Sequence, residues 1–292
     1  MPSFAKSSFF KWVLLSLLLW MQASYAETCQ LDVPGQVVLP NHDPSASSRS
    51  QYALTIRVRA VTACTVRLQV DRLDSLGEIK LSGAGVAGLR VGLNQDASYA
   101  VPLQAAPNDI ASWKLEAGQI ATYAIWISPL IQQWVSAGFY QAPIHLRLLN
   151  SSGSTLDDRD VVLIAKLDAT TKITFAGNGS RASRLDFGEI SAGAIRSAVL
   201  DVWANASHRI TLTSQNRGYL QNARMQANAD DAKIAYSVRL SGQPMILATG
   251  VASVAVQNLG QTRHQLDVEI GAVQRLLAGE YMDDLLITVV AQ

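Results

Sequence analysis

Residues 278–289 read AGEYMDDLLITV, and residues 137–148 read AGFYQAPIHLRL. In both stretches Ala-Gly-x-Tyr leads into an alternating run: Ala278, Gly279 and Tyr281 precede Leu285, Ile287 and Val289, while Ala137, Gly138 and Tyr140 precede Ile144, Leu146 and Leu148. An apolar side chain at every second position makes a strand with one face toward a core. The two copies lie 141 residues apart (278 minus 137) in a chain of 292. A repeat at that spacing sets two similar domains, with the boundary near residues 168–171.

The same period of two recurs outward from these copies. Ile56, Val58 and Ala60 alternate with Arg57 and Arg59, and Val66, Leu68 and Val70 with Arg67 and Gln69. Later runs hold Ile234, Tyr236, Val238 and Leu240, then Leu266, Val268 and Ile270. Turn clusters such as Asn150-Ser151-Ser152-Gly153 and Ser241-Gly242-Gln243-Pro244 separate them. The best short helical stretch is residues 130–136. The pattern predicts an all-β chain of two immunoglobulin-like β-sandwich domains. The copies end differently. The first turns through residues 151–158 into another strand, residues 161–167, whereas the second has no such segment after Val289. A sandwich short of its final strand exposes unpaired backbone groups beside an apolar trough. Four or five partner side chains filling it would gain about 6 to 15 kcal/mol, an upper estimate. Periodicity alone is equally served by an edge strand of a complete sheet.

Hydrophobic residues are 49% of the chain and charged residues 16%, which excludes a disordered polyelectrolyte. Residues 1–26 carry Lys6 and Lys11, the apolar run WVLLSLLLWM at 12–21, and small residues at Ser24 and Ala26. That is the pattern of a signal peptide cleaved before Glu27, too short in its apolar run for a membrane span. Thr28 before Cys29 argues against a lipidated cysteine. Removing two lysines from the 24 Lys+Arg leaves 22 against 23 acids, a balance that seeks neither nucleic acid nor an anionic bilayer. In an exported chain the two cysteines, Cys29 and Cys64, predict a disulfide.

Leu185-Asp186-Phe187-Gly188-Glu189-Ile190, the strand Ile234 to Leu240 with its Gly242 turn, and residues 278–289 together resemble the spore coat protein U domain family. That family includes the Csu-type subunits of archaic chaperone-usher pili, and the resemblance covers residues 173–292. Its motif residues here are Asp186, Phe187, Gly188, Ala278, Gly279, Tyr281 and Asp283. The resemblance implies an incomplete fold whose donor-strand groove holds Leu285, Ile287 and Val289. It implies three partners: a periplasmic chaperone, an outer-membrane usher, and an adjacent pilin that inserts its N-terminal strand. Residues 27–168 match less: they lack an Asp-Phe-Gly equivalent, and Pro143 stands where the second copy has Asp284. Residues 169–292 lack the cysteines of many family members.

Tying Cys29 to Cys64 two residues past the cleavage point leaves no free donor arm. A chain that accepts a strand and offers none sits at a fibre end, and there the resemblance implies the tip adhesin of a surface pilus, extracellular, contacting an abiotic or host surface in attachment and biofilm formation. A non-adhesive pilin or secreted coat protein of the family, and a periplasmic chaperone, are the alternatives. Two apolar loops are candidate surface contacts, one holding Leu130, Ile131 and Trp134 and the other, GAGVAGLRVGL at 83–93, holding Val86 and Leu89. Gly83 to Gly88 spells a dinucleotide loop without the βαβ context it needs. His42, His145, His208 and His264 are scattered and read as solvated, and Asp157-Asp158-Arg159-Asp160 and Asp283-Asp284 as acidic turns without the spacing of a calcium loop. No catalytic residue, cofactor or metal site is nominated. A carboxylate-dependent glycan enzyme would need a paired acid that nothing singles out.

Overall fold

The computed structural model describes residues 28–104, 108–177, 179–224, 232–273 and 277–292. The expected leader, residues 1–26, lies outside the described residues. The alternating segments become strands because each can bury one face and hydrate the other.

The first sandwich is built from β1 (Cys29–Asp32), β2 (Gln36–Val38), β3 (Tyr52–Ala60), β4 (Cys64–Asp71), β5 (Glu78–Gly83), β6 (Leu89–Asn94), β7 (Ala111–Leu115), β8 (Ile120–Pro129), β9 (Gly138–Asn150) and β10 (Thr155–Leu167). One layer runs β1-β3-β8-β6-β5 and the other β7-β4-β9-β10-β2, with β5 pairing into both. Between the layers lie Leu54, Ile56 and Val58 of β3, Val66, Leu68 and Val70 of β4, and Ile144, Leu146 and Leu148 of β9, all fully buried. The Cys29–Cys64 disulfide ties β1 of one layer to β4 of the other.

The second sandwich comprises β11 (Thr171–Phe175), β12 (Ile195–Ala204), β13 (His208–Ser214), β14 (Tyr219–Asn222), β15 (Lys233–Leu240), β16 (Gln243–Met245), β17 (Val251–Val256), β18 (Gly260–Ile270), β19 (Tyr281–Met282) and β20 (Leu285–Ala291). One sheet runs β11-β12-β18-β15-β14-β19 with β16 on β15, and the other β17-β13-β20. A separate core fills it, centred on Leu200, Val202, Ile210, Leu212, Val238, Leu266 and Val268.

The pairings superimpose one on one. β1–β3 and β3–β8 match β11–β12 and β12–β18. β4–β7 and β4–β9 match β13–β17 and β13–β20, and β5–β6 and β5–β9 match β14–β15 and β14–β19. Among the described residues nothing in the second sandwich matches β10, which in the first lies antiparallel to β9 and parallel to β2.

Asn205, fully buried, holds the junction. Its Oδ1 accepts from the Thr170 amide at 2.7 Å, its Nδ2 donates to the Asp168 carbonyl at 2.9 Å, and its own carbonyl accepts from the Ala137 amide of the first sandwich at 2.7 Å.

Several local expectations are corrected. Residues 130–136 form a turn rather than a helix: Gln132 has a φ of 60°, and the Gln133 side chain accepts from the Arg90 amide and donates to the Arg90 and Leu130 carbonyls, so the loop is fastened to β6. The stretch 83–93 is no long loop but the end of β5, a short turn and the start of β6, and Leu89 is a core residue. Asp157 to Asp160 lie in β10, not in a turn. Asp160 and Asp158 stand opposite His145 and Arg147 of β9, with 2.9 Å between Asp160 Oδ1 and His145 Nδ1, and this cross-strand charge pairing extends the ladder. Three of the histidines, His42, His208 and His264, are buried rather than solvated, because each falls on an inward row or under a loop.

Candidate functional site

Gly279 and Gly138 are explained by close approach. A Cβ on Gly138 would lie 2.5 Å from the Ala84 Cβ, and one on Gly279 2.5 Å from the Asn222 side-chain nitrogen. Each glycine lets the chain cross the end of β5 on entering β9, or the end of β14 on entering β19. The tyrosine two residues on then fixes the strand's entry. Tyr140 OH donates to the Ser136 carbonyl at 2.6 Å, and Tyr281 OH to the Leu277 carbonyl at 2.8 Å, each four residues back. The repeated motif is thus a strand-entry corner used twice.

Beyond that corner the two sandwiches diverge in burial. Tyr140, Ile144, Leu146 and Leu148 are 0% exposed. Their counterparts Tyr281, Leu285, Ile287 and Val289 are only half-buried, though they pack on the second core. The backbone of β20 shows why. The Asp284 carbonyl accepts from the Gln215 amide at 3.1 Å, and the Gln292 amide donates to the Ser207 carbonyl at 2.8 Å, so even-numbered peptide groups face β13. Alternation turns the groups of Leu285, Ile287 and Val289 the other way. On that side the Val289 carbonyl accepts only a side-chain bond, from Thr171 Oγ1 at 3.1 Å, and among the described residues no strand pairs with β20 there. The far bank is the coil between β11 and β12, from which Leu185, Phe187 and Ile190 pack on the core. Asp186 Oδ1 accepts from the Gly188 amide at 2.9 Å, turning the chain there, and the Arg196 guanidinium lies 5.9 Å from the Phe187 ring centre.

Asp283 holds one end of this edge. Its carboxylate accepts from Ser214 Oγ at 2.6 Å, from the Asn216 and Asp284 amides at 2.9 Å each, and from Tyr236 OH. Burial, reinforced by the bond to Asp283, pushes the Tyr236 phenol far above its ordinary value. The sequence offered Asp283 both as part of an acidic turn and as a motif residue of the resembled family, but not its partners Ser214 and Tyr236. The one available signal was that Tyr236 stands on an inward row, where a buried hydroxyl needs a partner.

His208 and His264 face inward from opposite sheets. His264 is bracketed by Ser241 Oγ at 3.2 Å and Thr262 Oγ1 at 3.1 Å, and burial, then the nearby His208, holds its pKa below the usual histidine value. Burial likewise lowers His42 in the first sandwich, opposed in part by Asp43. A lowered folded pKa means that the unfolded chain binds more protons, so stability is full above about pH 6.5 and is lost as pH falls toward the folded values. The unfolding midpoint is expected to drop by several degrees between pH 7.5 and pH 5, and His264→Asn to flatten part of that slope. A midpoint independent of pH over this interval would refute it.

The two candidate surface loops are brought together, but at the end of the first sandwich that faces the second. A Cβ on Gly85 would lie 2.6 Å from Ser136 Oγ, and Ala137 bonds to Asn205. Val86 and Ile131 are exposed there, Leu130 and Trp134 are half-buried, and Leu89 is internal. The opposite end carries Val61 and Ile120, both exposed, which sequence reasoning did not single out. Gly83 to Gly88 joins two antiparallel strands, so no helix N-terminus follows to hold a pyrophosphate. Among the described residues no group of three His, Cys, Asp or Glu side chains is placed to hold a metal ion.

No protein-family model matches the chain, and no curated protein matches it. Solved structures do. The chaperone–tip adhesion subunit pre-assembly complex CsuC–CsuE, from archaic chaperone-usher Csu pili of Acinetobacter baumannii, is similar at 12% identity and a TM-score of 0.48, over 90% of this chain and 99% of that one. CfaE, the adhesive subunit of CFA/I fimbria of enterotoxigenic Escherichia coli, is similar at 13% identity and a TM-score of 0.42, over 87% and 90%. The CupB6 tip adhesin of Pseudomonas aeruginosa is similar at 10% identity and a TM-score of 0.37, over 90% and 95%.

Proposed function

We propose that this chain is an exported two-domain subunit of a chaperone-usher surface fibre, carrying a self-sufficient domain at residues 27–168 and a strand-accepting domain at residues 169–292. The single observation that carries this reading is the mismatch between two otherwise equivalent sandwiches: six pairings recur, but the place of β10 is filled in one and, among the described residues, open in the other. An open edge beside four half-buried apolar side chains suits completion by a partner's strand, the mode of β-augmentation. A periplasmic chaperone would fill it first and a neighbouring pilin afterwards, with an outer-membrane usher between the two steps. The resemblance of residues 173–292 to the spore coat protein U domain family supports the same assignment.

The first domain needs no such help, since β10 closes it and the disulfide braces it. Its role is binding rather than catalysis, at the tip of the fibre, in attachment to a surface and in biofilm formation. The tip position rests on cleavage before Glu27, because Thr28 already bonds to Val61 and Thr62 within the fold. The exposed Val61 and Ile120, at the end away from the second domain, are better placed to meet a surface than the loops at the junction.

The test is recovery of the full exported chain from a periplasm with and without an archaic-type pilus chaperone. A stable one-to-one complex and at least tenfold more soluble protein are expected with the chaperone. A monomer equally abundant and stable without it would overturn the proposal.

A further inference from the structure

We infer that β17, at the edge of its sheet remote from β20, is a docking edge for a second copy of this chain, which lays its own β17 antiparallel to it about a two-fold axis at Ser253. β13 lies between β17 and β20, so this edge is separate from the one proposed to accept a strand, and both can be occupied at once.

The edge is open. Among the described residues β17 pairs only with β13. The Gly250 carbonyl accepts from the Ser214 amide at 2.8 Å, so even-numbered peptide groups face β13 and those of Val251, Ser253 and Ala255 face away. On that side, among the described residues, only Thr249 Oγ1 bonds to the strand, at 3.1 Å to the Val251 carbonyl, which has a second lone pair to offer. The edge is also unprotected. Sheet edges are ordinarily kept from pairing by a charge or a proline, and β1, β7 and β11 follow that rule with Asp32, Lys114 and Lys172. β17 has neither, and no charged residue stands anywhere between Arg239 and Arg263. Val251 is 49% exposed, and the segments flanking the strand add Ile246 at 75% and Leu259 at 49%.

What fits this edge is its own copy. With the axis at Ser253, Val251 faces Ala255 of the second copy, Ala252 faces Val254, Gly250 faces Val256, and Ser253 faces itself. Every valine thus meets a small residue, and the two serine hydroxyls can bond across the axis. The pairs 251 with 255 and 253 with 253 are also the ones whose free N–H and C=O groups point at each other, so the backbone ladder and the side-chain fit agree on one register. Moving the axis to Val254 sets two valines face to face, and moving it to Ala252 runs Ala255 and Val256 past the end of the strand. Nothing charged lies on either strand to repel its copy, and the symmetry closes a pair rather than starting a filament. A single ladder of this length is a small interface, of the weak and transient kind.

The experiment uses the full exported chain, alone or in the chaperone complex in which it is recovered, since the chaperone is proposed to fill the edge at β20. Sedimentation velocity from about 10 µM to about 1 mM is expected to show a pairing equilibrium with a dissociation constant of about 100 µM. Ser253→Lys sets two like charges face to face on the axis and should weaken pairing by roughly tenfold or more. Ser253 is exposed, so the unfolding midpoint should stay within about 2 °C of the wild type. Cys29 and Cys64 are bonded to each other and the chain has no other cysteine, so an introduced thiol is a single one. Directly opposed α-carbons of a hydrogen-bonded pair are about 5.5 Å apart, within disulfide reach, whereas two copies of Ala255 would stand about 13 Å apart. Ser253→Cys should therefore oxidise to a covalent dimer and Ala255→Cys should not. A monomer at every concentration, a dimer that Ser253→Lys leaves intact, or equal crosslinking of the two cysteine variants would overturn the inference, whichever way the test of the strand-accepting role falls.

Discussion

Leu285→Asp is expected to remove the chain from the chaperone-bound pool, while Leu286→Asp leaves recovery as in the wild type. The two residues are adjacent in β20 and undergo the same chemical change, but Leu285 packs on the second core beside the open edge whereas Leu286 points outward and is exposed. Before completion an aspartate at 285 keeps part of its hydration, because the site is half-buried. Closing a strand over it strips that water. The loss of the leucine contribution, about 1.5 to 3 kcal/mol, adds to several kcal/mol for an unpaired buried charge. At about 1.4 kcal/mol per factor of ten, binding of a completing strand falls by roughly a thousandfold or more. Co-purification with the chaperone reads this directly. Recovery of Leu285→Asp at the wild-type level would show that no strand is laid over this row.

The strands were legible because alternation is a local property: Ile56, Val58 and Ala60, or Leu266, Val268 and Ile270, declare their inward row without knowledge of the partner strand. The duplication was legible for a sharper reason. Gly138 and Gly279 are required by the crossing of another strand, and Tyr140 and Tyr281 by a bond to a carbonyl four residues earlier, so the motif is written into few residues.

What sequence could not supply was anything decided between one strand or loop and another. The acidic run Asp157 to Asp160 looked like a turn because the histidine and arginine that face it lie on the neighbouring strand. For the apolar loops at 84–88 and 130–136, hydropathy does not say which end of a sandwich a loop occupies. The Asn205 carbonyl, bonded to Ala137, sets that end at the junction. Buried histidines were misjudged for the same reason. His208 and His264 lie on opposite sheets, and Ser241, which bonds to His264, follows β15 and comes beside it only once β15 pairs with β18.

Removing the disulfide is the second large effect. Cys29 and Cys64 close a loop of 35 residues, and in the chain-entropy model such a crosslink destabilises the unfolded chain by about 4 kcal/mol. Domain stabilities are about 5 to 15 kcal/mol, so this is a large share of the whole. The bond sits where it matters. β1 pairs only with β3 among the strands of its layer, yet its Leu31 amide holds Asp157 of β10, and the disulfide anchors β1 to β4 in the opposite layer. Without that anchor β1 is an edge strand of four residues, free to peel off and release the polar half of β10. Cys29→Ser with Cys64→Ser is therefore expected to lower the unfolding midpoint of the first sandwich by more than 10 °C and to open residues 28–35 and 155–160 to hydrogen exchange. The second sandwich, with its own core and no cysteine, should unfold as before. A calorimetric trace in which both transitions fall together would show that the two cores do not unfold independently, and an unchanged first transition would show that β1 is held by its ladder to β3 alone.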